Sequence, residues 1–276
     1  MRLFGLSLFV FAFVGCGANP ETRRTTKALA PTETQNAGFP KLDPPAASDP
    51  AAKTVAAKII AAHTNNDPAM IGKMKSVVFG REGKHVAVDS PLSGLPVNFT
   101  LSGVWPDRGR YVWTGMAPFP VTVRLIDKKA FRDIPNPTLM PPLAEKQFDD
   151  LFGHLYADWL QLLIPLGEPE TIVAPASEFK LGEQIFAGLR VWQTGKPQAI
   201  LYYDAVTFRV VRIAYDGREN GLPTFIELAL SDHKPTGGFL LAHRVYVRMN
   251  GRDFMEFEKA ILEFPKEHAA KIFTEP

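Results

Sequence analysis

The sequence predicts an α+β domain built on antiparallel sheet, carried behind an exported N-terminus. Three observations carry that prediction. Alternating apolar and polar residues, separated by short turn signals, recur from Asn98 to Phe264. Two other segments repeat their apolar residues every three or four positions, as amphipathic helices do. The 276 residues are 46% hydrophobic and 22% charged, enough for a packed core and too apolar for wholesale disorder. Lys+Arg 31 against Asp+Glu 29 leaves a net charge of +2, which excludes nucleic acid as an expected partner. The single cysteine, Cys16, excludes an internal disulfide framework and a Cys-based zinc cluster.

The first element is an address. Met1-Arg2 supplies a positive charge, and residues 3–14 (LFGLSLFVFAFV) are almost wholly apolar. A dozen helical residues span about 18 Å, short of a hydrocarbon core about 30 Å thick, so residues 1–15 read as a secretory signal peptide. Phe13-Val14-Gly15-Cys16 resembles the bacterial lipobox, in which the cysteine is acylated and becomes the mature N-terminus. Lipidation is therefore expected at Cys16, with membrane attachment through its acyl chains. Gly17, in place of the Asp that retains lipoproteins at the inner membrane, favours the outer membrane, facing the periplasm. Residues 16–50 are rich in Pro, Thr and Ala without apolar periodicity and read as a flexible tether.

The folded domain is expected over 51–276. Asp49-Pro50 matches a helix N-cap followed by Pro at the first helical position. Ala52, Val55, Ala56, Ile59, Ile60 and His63 then form one apolar stripe. Strands follow at 98–105, around Tyr111-Val112-Trp113, and at 121–125. A second helix is expected over 145–164, where Phe148, Leu151, Phe152, Leu155, Tyr156, Trp159, Leu160 and Leu163 make a wide apolar face that Pro165 ends. Strands at 199–204, 208–215, 224–231, 243–249 and 254–264 complete a meander, and Asn250-Gly251 is its strongest hairpin signal.

Several short motifs share an order with a known family. They are Trp105-Pro106-Asp107-Arg108-Gly109-Arg110-Tyr111, Leu125-Ile126-Asp127-Lys128-Lys129-Ala130-Phe131, Leu201-Tyr202-Tyr203-Asp204 running into Phe208-Arg209-Val210-Val211, Ser231-Asp232-His233-Lys234 with Gly237-Gly238, and the ending Ile272-Phe273-Thr274-Glu275-Pro276. In order and spacing they resemble the Lol-type periplasmic lipoprotein carriers and their anchored receptors, and more closely the bacterial outer-membrane lipoprotein-sorting-like proteins. The resemblance covers residues 52–276. It implies a strongly curled antiparallel sheet (an incomplete β-barrel) with helices covering the concave face, a hydrophobic cavity for acyl chains, no cofactor and no catalysis. Soluble carriers often place a basic residue before the proline, where it latches the lid helices; here Trp105 stands there, so that latch does not carry over.

On this reading the expected partners are the acyl chains of a lipid or lipoprotein. Candidate cavity residues are Phe99, Leu101, Trp105, Trp113, Leu155, Trp159, Leu201, Tyr203, Phe208 and Val210, although periodicity does not fix which strand face turns inward. The alternative is a non-catalytic docking module of the same fold with a filled core. Catalytic and metal motifs give little. Asp150, His154 and Asp158 share the polar face of the second helix at four-residue spacing and are expected to be a solvated, internally paired face. Ser231-Asp232-His233 are adjacent and so diverge, and Glu256 with Glu258 reads as a solvated strand face.

Overall fold

The computed structural model describes residues 42–88, 90–115, 120–133, 146–219, 221–268 and 270–273. The expected signal peptide, Cys16 and residues 17–41 of the tether lie outside the described residues. Residues 42–49, expected in the tether, are fastened to the domain. The Leu42 amide donates to Gln198 Oε1, and its carbonyl accepts from Trp192 Nε1. The Asp49 amide donates to the Val173 carbonyl at 2.9 Å, and the Val173 amide donates to Ser48 Oγ.

Helix α1 (Pro50–His63) starts where its cap predicts: Asp49 Oδ1 accepts from the Ala52 amide at 2.8 Å. It buries Ala52, Ala56, Ile59 and His63, four members of the predicted stripe. A six-residue helix, α2 (Ala69–Met74), follows; it is too short to leave a periodic signal.

Five strands come next: β1 (Ser76–His85), β2 (Pro96–Val104), β3 (Arg108–Thr114), β4 (Val121–Ile126) and β5 (Lys129–Asp133). Helix α3 (Lys146–Gln161) then leads through a short 3-10 turn at Ile164–Gly167 to the remaining seven. These are β6 (Ile172–Leu181), β7 (Gln184–Trp192), β8 (Ala199–Tyr203), β9 (Val210–Glu219), β10 (Leu222–Thr236), β11 (Phe239–Met249) and β12 (Arg252–Glu263). Strand β9 opens at Val210, two residues later than expected, because Phe208 takes a left-handed φ of 56° and closes the preceding turn onto Asp204. Asn250 and Gly251, at φ 50° and 75°, form the tight two-residue hairpin their sequence predicts.

All twelve strands lie in one antiparallel sheet, ordered β5-β4-β3-β2-β1-β12-β11-β10-β9-β8-β7-β6. β1 pairs with β12 in the interior of the sheet, and the sequence neighbours β5 and β6 are its two outermost strands. The chain therefore passes from one edge to the other through α3. On β6, Pro175 and a register shift between Ala176 and Phe179 interrupt the ladder with β7.

Contacts of α3 show that the sheet is curled and unclosed. A Cβ placed on Gly109 of β3 would lie 3.1 Å from Leu155, while His154, the preceding residue, lies 3.4 Å from the Tyr215 hydroxyl on β9. β3 and β9 stand six strands apart in the order, about 29 Å at the usual interstrand spacing of a flat sheet. One turn of helix cannot span that distance, so the two limbs bend toward it. Gly103 on β2 allows the closest approach: a Cβ there would meet the Trp159 indole at 2.5 Å. Among the described residues no helix is long and apolar enough to cross a membrane.

Candidate ligand cavity

Between α3 and the sheet lies a cavity of about 80 Å³. Its sheet wall is apolar. Phe99 of β2 stands with its ring centroid 4.8 Å from Trp113 and 5.5 Å from Phe257, and Leu228, Val247 and Met249 continue the surface along β10 and β11. These residues come from strands in which apolar side chains alternate, so one pleat face supplies the whole wall. Trp113, Met249 and Phe254 are only half-buried and mark the mouth.

Polar groups gather where β1 and β3 face α3. Asp158 of α3 is 8% exposed, and both its oxygens are taken: the Tyr111 hydroxyl donates to Oδ2 at 2.6 Å and Gln161 Nε2 donates to Oδ1 at 3.0 Å. Arg81 of β1, 2% exposed, donates from one terminal nitrogen to Gln161 Oε1 at 2.7 Å and from the other to the Ala242 carbonyl at 3.0 Å. Burial pushes the Asp158 carboxyl up to about 6, with the Tyr111 hydrogen bond and the Arg81 charge opposing the shift. Burial also draws the Arg81 guanidinium down to about 10, where it remains charged at neutral pH. His154 faces Glu219 at 3.6 Å, and that carboxylate holds the imidazole above its usual value despite burial. Nearby, Asp150 is 1% exposed and accepts from the Gly221 amide at 3.1 Å.

The expectation of a solvated face at Asp150, His154 and Asp158 is thus corrected. The curled limbs meet α3 on that side too, and its polar groups bond to the sheet. Among the described residues no group of three His, Cys, Asp or Glu is arranged to hold a metal. Glu256 is likewise buried, accepting from the Tyr246 hydroxyl, whereas Glu258 is exposed. Asp232 pairs with Lys234 at the surface while His233 lies 3.0 Å from the Val210 carbonyl, so the Ser231-Asp232-His233 set does not converge.

No family model matches the sequence, and no curated relative matches it. Solved structures do. A DUF1329 family protein from Desulfovibrio piger is 10% identical with a TM-score of 0.50, covering 81% of this chain and 96% of that one. That likeness shows a shared fold. A lipoprotein-sorting-type outer-membrane protein domain from Vibrio parahaemolyticus is similar at 11% identity and TM-score 0.48, over 80% of this chain and 95% of that one. A LolA superfamily protein from Nitrosomonas europaea stands at 11% and 0.48, over 75% and 96%.

The ten residues expected to line a cavity fall into three groups. Phe99 and Trp113 line it. Leu101, Leu155 and Trp159 are fully buried beside it, filling the space between α3 and the glycines at 103 and 109, and Trp105 stacks edge-on against Trp159 at 6.0 Å. The other four sit elsewhere. Leu201 is fully buried in the core, Tyr203 stacks on Phe208 under Lys58 of α1, and the Val210 amide donates to His63 Nε2. Leu228, Val247 and Phe257 were open to discovery, since their strands alternate visibly. Arg81 left no signal, because a lone arginine among glycines reads as surface.

Proposed function

We propose that this chain is a membrane-anchored periplasmic lipoprotein, held at the outer membrane through acylated Cys16, that binds an acyl chain of a lipid or lipoprotein for sorting or transfer. It acts without catalysis and without a cofactor. α3 is the helix that covers the concave face of the half-barrel, and it doubles as the movable plug. The observation that carries this reading is the apolar wall supplied by Phe99, Trp113, Leu228, Val247 and Phe257 directly beneath α3.

The volume defines the state. About 80 Å³ is less than the roughly 150 Å³ cavity that holds one benzene, so a long chain enters only as α3 yields. A C16 chain gains on the order of 10 kcal/mol gross on leaving water, at about 0.8 kcal/mol per methylene. Displacing Leu155 and Trp159 gives back a comparable burial, and a near-balance of that kind makes loading reversible. The same small volume favours the second reading, a docking module with a filled core.

Native mass spectrometry of the full chain from a membrane-containing host, with binding of the neutral dye N-phenyl-1-naphthylamine, separates the two. Acyl adducts and saturable dye binding are expected. Val247→Trp, which fills the cavity from β11, is expected to weaken dye binding at least tenfold with the melting temperature held. A clean unloaded mass without dye binding selects the docking module.

A further inference from the structure

We infer that the cavity takes a single-chain amphiphile head-first, its carboxylate seated against Arg81 and its tail running toward the mouth at Trp113 and Met249. The inference rests on the acyl-binding reading and names the chemical class of the cargo.

Arg81 is a buried cation with one N–H that has no hydrogen-bond partner. Arg81 is 2% exposed and lines the cavity, and among the described residues it makes no ion pair within 4 Å. Its two terminal nitrogens are committed to Gln161 and Ala242, but Nε is buried with no hydrogen-bond partner. A buried guanidinium whose only nearby carboxylate makes no direct bond to it is costly to keep, and an unused buried N–H adds to that cost. Asp158 shares the wall, yet it does not fill the vacancy: Tyr111 and Gln161 occupy its oxygens. Burial already pushes its carboxyl up toward the neutral form, which lessens its repulsion of a second carboxylate.

One free N–H on a fixed cation suits one oxygen of a carboxylate, with charge-assisted strength. The opposite wall and the mouth are apolar, which suits the chain behind it. Among the cargoes that the acyl-binding reading allows, the arrangement selects a lipid with a free acid head, because an ester or amide head carries no charge to pair with Arg81.

Competition against the neutral dye on the purified full chain tests this with decanoate and decan-1-ol. Without a built site the alcohol wins, since an ionised head resists burial. Decanoate is expected to bind about tenfold tighter than decanol, and Arg81→Met is expected to erase that preference. Equal binding, or tighter decanol, overturns the inference and leaves acyl binding standing; displacement by neither ligand sinks acyl binding itself. Should Arg81→Met fail to fold, carbon-13 NMR of carboxyl-labelled decanoate on the unmodified protein decides. A bound carboxyl titrating at or below its free midpoint supports the Arg81 contact, and an upward shift overturns it.

Discussion

The interior has two compartments, one beneath α3 and one beneath α1, with Arg81 and Gln161 as their shared partition. Beneath α1 the void is only about 10 Å³, room for no more than one water. There both ring nitrogens of His63 are engaged: Nδ1 lies 2.8 Å from the Leu240 carbonyl and Nε2 accepts from the Val210 amide at 3.1 Å. Beneath α3 the cavity is about 80 Å³ and Arg81 Nε has no partner. Buried polar groups that close on themselves tie elements together, whereas one with an unused N–H keeps bonding capacity in reserve.

The strongest test of that contrast is His63→Ala. It removes the acceptor of a buried amide and leaves a small void, so a loss of about 3 kcal/mol in urea denaturation is expected. A loss under about 1 kcal/mol would show that the α1 compartment is not tied through this ring.

The two compartments also titrate in opposite directions. Burial lowers His63 to about 4, so the unfolded chain binds its proton first and this contribution, full above pH 6.5, is lost as pH falls toward 4. Asp158 is raised to about 6, so the folded chain holds its proton longer and stability from this group is lost as pH rises from about 4 through 6. Asp158→Asn removes the second effect: relative to the unmodified protein it is expected to gain on the order of 2 kcal/mol between pH 4 and pH 7. Melting temperatures across that range check it, and a constant difference would break the assignment.

The smallest effect is expected at Arg81→Met without ligand. The variant loses two hydrogen bonds and the charge that opposes the Asp158 shift but relieves a buried guanidinium, so a loss of about 1 kcal/mol is expected by chemical denaturation. A loss as large as that of His63→Ala would place Arg81 among the structural ties and weaken its role as a ligand contact.

Much of the fold is legible in the sequence, and the limits have physical causes. The Asp49 cap with the stripe through His63 gives α1, and the aromatic stripe from Phe148 to Leu160 gives α3. β1 escapes because Gly80, Arg81, Glu82 and Gly83 break its alternation; Gly83 is needed where a Cβ would fall 2.0 Å from the Glu256 carbonyl. β6 escapes through Pro175. The cavity was half legible. Phe99 and Trp113 follow from strand alternation, but the polar wall does not, since periodicity sorts a helix into two faces and cannot report that a bent sheet embraces both.

The two outermost strands of the sheet have a consequence for the molecule among its own copies. β5 bears Lys129, Arg132 and Asp133, while β6 bears Pro175, Glu178 and Lys180 around its irregular register. Proline, a bulge and charge each discourage a foreign strand from adding on. The seam is thus left unzipped without becoming sticky, so that a breach in the wall can persist at high concentration without seeding fibres.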